Sequence, residues 1–124
     1  RRQPTLPGMS NEENMDPAEA RVRAFRDEVA RTAEELDGGG TVRVAELLER
    51  LQRACAAVED DDLGADAATI RSQFEAMFNR LGDLAAQHAE PVSTSSLGLP
   101  GDARFLRDMT DYLTRRYGLE DEEP

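Results

Sequence analysis

Between Ile70 and His88, the side chains of Ile70, Phe74, Met77, Leu81, Leu84 and His88 recur at steps of 4, 3, 4, 3 and 4 residues. A strand gathers every second residue on one face, whereas a helix of about 3.6 residues per turn gathers this set. The alternation of three and four keeps the seam turned towards one partner, as in left-handed helix pairs. Phe78 and Ala85 broaden it to the stripe of a bundle helix. A helix is therefore predicted over 66–89, with Pro91 closing it. Gly82 weakens its middle by about 1 kcal/mol relative to alanine and permits close approach of a neighbouring backbone.

The same period predicts three more helices. Over 17–37, Val22, Phe25, Val29 and Leu36 share a stripe filled in by Ala18, Thr32 and Ala33. Opposite them Glu19, Arg23, Asp27, Arg31 and Glu35 alternate in sign at helical spacing. Asp16-Pro17-Ala18-Glu19 reads as the start, with a carboxylate cap, proline at the first helical position and a glutamate placed for a capping box. Gly38-Gly39-Gly40 ends it. Over 42–58, Val44, Leu47, Leu48, Leu51, Cys55 and Val58 form the apolar face. Thr41 is the expected cap, and Glu46–Arg50 and Glu49–Arg53 are spaced for ion pairs. Over 103–117, capped by Asp102, the residues Phe105, Leu106, Met109, Leu113 and Tyr117 lie on one side, with Tyr112 at its margin. Arg107, Asp111 and Arg115 form a ladder opposite, and Gly118 closes the helix. The implied fold class is all-α: an antiparallel bundle of three amphipathic helices, then a fourth C-terminal helix after a long serine-containing loop. No strands are expected.

A chain of 124 residues fits one domain, so 16–118 read as a single helical domain between a flexible segment at 1–15 and an acidic tail at 119–124. Met9-Ser10 reads as a translation start, which makes the residues before it upstream sequence. No apolar run reaches the length of a membrane span or forms a signal peptide, and an intracellular, cytoplasmic setting is expected. One cysteine excludes an internal disulfide, and one histidine excludes His-rich metal sites. The 26 acids against 15 bases leave a net charge of −11, and every base is arginine, because the chain is free of lysine. GC-rich coding accounts for that bias; selection against lysine, which removes modification sites, is the alternative. The charge disfavours nucleic acid and anionic membranes and steers encounter towards a basic surface.

No phosphate loop, nucleophile elbow, CxxC or zinc-protease motif is present, so no catalytic, cofactor-binding or metal-ligating residue is assigned. Cys55 sits on an apolar stripe and reads as a buried structural thiol. His88 reads as a packing residue at a helix end. The acids Glu59, Asp60, Asp61 and Asp62 invite a calcium-loop comparison, but Gly64 falls where a ligand is needed; they read as a charged turn or as an electrostatic docking patch. Phe105, Leu106, Met109 and Leu113 fall at the spacing of a helix that docks in a groove, on an element that either completes the bundle or docks elsewhere.

The function expected is that of a non-enzymatic protein–protein interaction module, an adaptor or assembly factor that self-associates or binds another protein with a basic or apolar surface. Its contact residues are Phe105, Met109, Tyr112 and Leu113, with Glu59, Asp60, Asp61 and Asp62 as the electrostatic patch. The first alternative is a small helical enzyme or enzyme subunit binding an anionic metabolite; it requires an arginine such as Arg71 or Arg80 to face the core, whereas periodicity places every arginine on an outward face. The second is a dimeric DNA-associated regulator, which would need a basic stripe that this composition does not offer.

Overall fold

A computed structural model describes residues 16–120; the expectations for 1–15 and for the tail beyond 120 lie outside them. The chain is mostly helical. Its elements are α1 (Pro17–Asp37), β1 (Thr41–Val42), α2 (Val44–Ala57), the one-turn α3 (Asp60–Leu63), a 3-10 turn (Gly64–Asp66), α4 (Ala67–Gln87), β2 (Val92–Ser93) and α5 (Leu99–Arg116).

Proline at its first position preorganises α1, and Val22, Phe25, Val29, Thr32, Ala33 and Leu36 are its buried face. Thr32 is fully buried without penalty because its hydroxyl donates to the Glu28 carbonyl at 2.9 Å. The expected capping box is not formed. Asp16 makes no side-chain cap bond, although its carbonyl accepts the Ala20 N–H at 2.9 Å, and Glu19 pairs with Arg23 at 3.3 Å instead.

The expectation of no strands is corrected by a short antiparallel ladder in which Thr41 faces Ser93 and Val42 faces Val92. Gly39 and Gly40 take φ of +82° and +83°, which turns the chain out of α1 in extended form. The β-branched Thr41 and Val42 then meet Val92 just after Pro91, and the Thr94 N–H donates to the Gly40 carbonyl at 3.0 Å. Two residues per strand are too few for an alternation to be seen in sequence. The ladder takes Thr41 away from its expected role as a cap, so α2 begins at Val44. It also fastens the serine-containing loop ahead of the last helix.

The last helix is displaced too. It begins at Leu99, behind a left-handed Gly98 (φ 76°), and not behind Asp102. Pro100 sits inside its first turn, where the missing N–H costs nothing. At the other end Leu119, placed in the tail by sequence, is fully buried, and its carbonyl accepts from Arg23 at 3.2 Å and Arg26 at 3.5 Å.

The buried side chains form one cluster drawn from every long helix. At its centre Phe74 meets the rings of Phe25, Phe78 and Phe105 at centroid distances of 5.6, 5.9 and 5.4 Å. These are all four phenylalanines of the chain, so one aromatic knot joins α1, α4 and α5. Helix α1 lies close along α5 and α2, and α2 lies along α4. Helices α4 and α5 make no comparably close backbone approach.

Candidate functional site

The gap between α4 and α5 is bridged by side chains at three places. Near the start of α5, Arg80 of α4 reaches the Asp102 carboxylate with one guanidinium nitrogen and the Leu97 carbonyl with another, the latter at 3.1 Å. Midway, the Phe74 and Phe105 rings meet edge to face. At the far end, Asp66 accepts from the Tyr112 hydroxyl and from Arg116 Nε, the latter at 2.8 Å. The Tyr112 hydroxyl and then Arg116 hold the Asp66 carboxyl below the usual carboxylate range, and the same contact raises the Tyr112 phenol above its own.

Between the aromatic bridge and the Asp66 bridge lies a groove of about 350 Å³. Ile70 and Met109 form its floor, Thr69, Gln73 and Phe105 its walls, and Asp108 and Tyr112 its rim. Among the described residues, Tyr112 is the one large apolar side chain left exposed, at 38 %. Asp108 makes no hydrogen bond or ion pair with any described residue.

The contact residues expected from sequence thus divide. Phe105, Met109 and Tyr112 come together in this groove, although Met109 is 95 % covered and the Phe105 ring is packed against Phe74. Leu113 has no exposed surface and belongs to the core beneath α5. Helix α5 therefore buries its apolar stripe on α1 and leaves only a margin of it uncovered.

The acidic run divides as well. Asp62 is clasped by Arg21, Nε at 2.6 Å and Nη2 at 2.8 Å, and also accepts the Glu59 N–H at 2.9 Å. That grip holds its carboxyl down at about 2. Asp60 pairs with Arg71 at 2.9 Å, Glu59 closes a capping box with Asp62 at the start of α3 while remaining exposed, and Asp61 faces water. Arg71 also donates to the Cys55 and Val58 carbonyls, both at 2.5 Å. It thereby supplies the cation that the last turn of α2 lacks ahead of four acids. Sequence periodicity placed Arg71 and Arg80 on outward faces; their heads are instead spent on a helix end and on a buried carboxylate.

Two expected ion pairs are also exchanged for longer reaches. Arg50 leaves Glu46 for Glu35 and Glu28 on α1, and Arg107 leaves Asp111 for Asp37. Cys55 is buried, and burial pushes its thiol up to about 11 against the opposing pull of Arg71. It lines a second hollow, of about 400 Å³, between α2 and α4. His88 stands just past α4 as its C-cap, half-buried. Among the described residues, no three His, Cys, Asp or Glu side chains stand close enough to hold a metal ion. No described helix is long and apolar enough to cross a membrane. Compared with known protein families, characterised proteins and solved structures, the chain matches none.

Proposed function

We propose that the protein is a non-enzymatic interaction module, an adaptor or assembly factor, and that the seam between α4 and α5 is its contact surface. The observation that carries this is Tyr112. An amphipathic ring left in water, at the lip of a groove floored by Ile70 and Met109, is the chemistry that anchors protein interfaces. Glu59 and Asp61, both exposed and neither held by an arginine, supply the outward electrostatic patch, while Asp60 and Asp62 are paired with Arg71 and Arg21.

The helices are read as an antiparallel bundle. In support, Asp37 at the end of α1 meets Arg107 midway along α5, and Arg23 near the start of α1 meets Leu119 beyond the end of α5. Likewise Asp66 before α4 meets Arg116 at the end of α5, and Arg80 meets Asp102. Such a bundle with one seam held apart by side chains has a ready place for an added helix.

The test is retention of binding proteins by the immobilised chain. Tyr112→Asp is expected to abolish specific retention, while Arg53→Asp on the exposed side of α2 leaves it intact. Equal retention by both variants would move the contact surface elsewhere.

A further inference from the structure

We infer that the occupant of the α4/α5 seam is a single amphipathic helix of another protein, carrying large apolar anchors beside a lysine or arginine. This rests on the interaction reading above and adds the identity of what binds. Size argues first. A groove of about 350 Å³ sits at the small end of pockets that hold ligands, with room for one or two large side chains and none for a subunit face. A second copy of this chain is a poor fit. A stable dimer covers about 800 Å² on each partner around an apolar centre, yet Tyr112 is the one large apolar side chain exposed among the described residues. Each copy would also bring a net charge of −11 to the contact.

Charge then selects the partner. At the far end of the groove Asp66 is already answered by Arg116, whereas Asp108 on the rim makes no hydrogen bond or ion pair among the described residues and feels Arg107 only through space, the Arg107 head being bonded to Asp37. The unspent charge facing the occupant is a carboxylate, so a cation beside the anchor completes the contact. Backbone hydrogen bonding selects the form. Both walls are helices, whose N–H and C=O groups are satisfied internally, so an extended strand would find no edge to pair with. A helix brings its own backbone bonds and needs only side-chain contacts.

The experiment is selection of a displayed library of helical peptides on the full chain, followed by affinity and amide-shift mapping with the enriched peptides. Enriched sequences are expected to carry apolar anchors one helical turn apart with an adjacent lysine or arginine, and to shift Ile70, Gln73, Met109 and Tyr112. Tyr112→Ala should weaken them about thirtyfold and Asp108→Lys about fivefold, the latter effect shrinking with salt. Tyr112→Phe, which keeps the ring and drops the hydroxyl, should bind within about twofold of the parent, and dichroism checks that each variant folds. Peptides that bind the seam without a cation, or that ignore Asp108→Lys, would overturn the occupant and leave the seam as a contact surface. Peptides that map to the hollow beside Cys55, or no enrichment at all, would overturn both. A concentration-dependent dimer abolished by Tyr112→Asp would replace the foreign helix with a second copy.

Discussion

Removing Arg80 should harm the fold more than removing the carboxylate it holds. The Asp102 side chain is only 9 % exposed, whereas that of Arg80 is 42 % exposed. Truncating Arg80 to alanine strands a nearly buried anion; truncating Asp102 merely returns a half-exposed guanidinium to water. Breaking a fully buried pair costs about 3–5 kcal/mol. Here the first turn of α5 offsets about 0.3–1 kcal/mol through its dipole, and water enters where the arginine stood. Arg80→Ala is therefore expected to cost about 2 kcal/mol, and Asp102→Ala about 1 kcal/mol from a lost charged hydrogen bond and a lost helix-start acid. At about 4 °C per kcal/mol for a chain of this size, the melting temperatures fall by about 8 and about 4 °C. The double variant should be no worse than Arg80→Ala alone, because no anion is left stranded. Urea denaturation of the four proteins closes the cycle. Equal losses for the two single variants, or additive losses in the double, would refute the buried-anion reasoning.

Phe74→Ala should lose about 3–5 kcal/mol, while Phe74→Leu loses less, since volume is kept and the ring contacts alone are forfeited; equal losses in denaturant melts would contradict the aromatic knot. With its thiol pushed up to about 11 by burial, Cys55 should react with a bulky disulfide reagent at pH 8 far more slowly in the native protein than in urea, and fast native labelling would place it at the surface. The Arg21 contact depresses the Asp62 carboxyl to about 2, so its stabilisation is complete above pH about 4 and is lost as pH falls through about 2. The stability gap between the parent and Arg21→Ala should thus be full at pH 7 and close towards pH 2; a gap independent of pH would mean that the bridge contributes nothing.

Long elements were legible in sequence because burial on a helix repeats. Ile70, Phe74, Met77 and Leu81 announce α4 through spacing alone, and all four are buried. The ladder was not legible, because Thr41 and Val42 pair across half the chain with Ser93 and Val92 and carry no period of their own. Asp102 shows the limit of local rules: placed before an apolar run it resembles a helix cap, but its role is set by Arg80, 22 residues away. The groove was half legible. Phe105, Met109 and Tyr112 follow from the margin of the α5 stripe, whereas Leu113, on the same stripe, faces α1 and the core. Which part of a stripe stays uncovered depends on which helix pairs close, and sequence spacing does not carry that information.

The most direct measurement of the proposed role is site-specific photocrosslinking of the full chain in its native cell. A photoreactive phenylalanine analogue at position 112 should yield an adduct with a different protein, at a lysine- or arginine-containing helix, while the same analogue at position 53 yields none. Crosslinks from both positions alike, or from neither, would contradict the assignment of the α4/α5 seam as the surface through which this protein works.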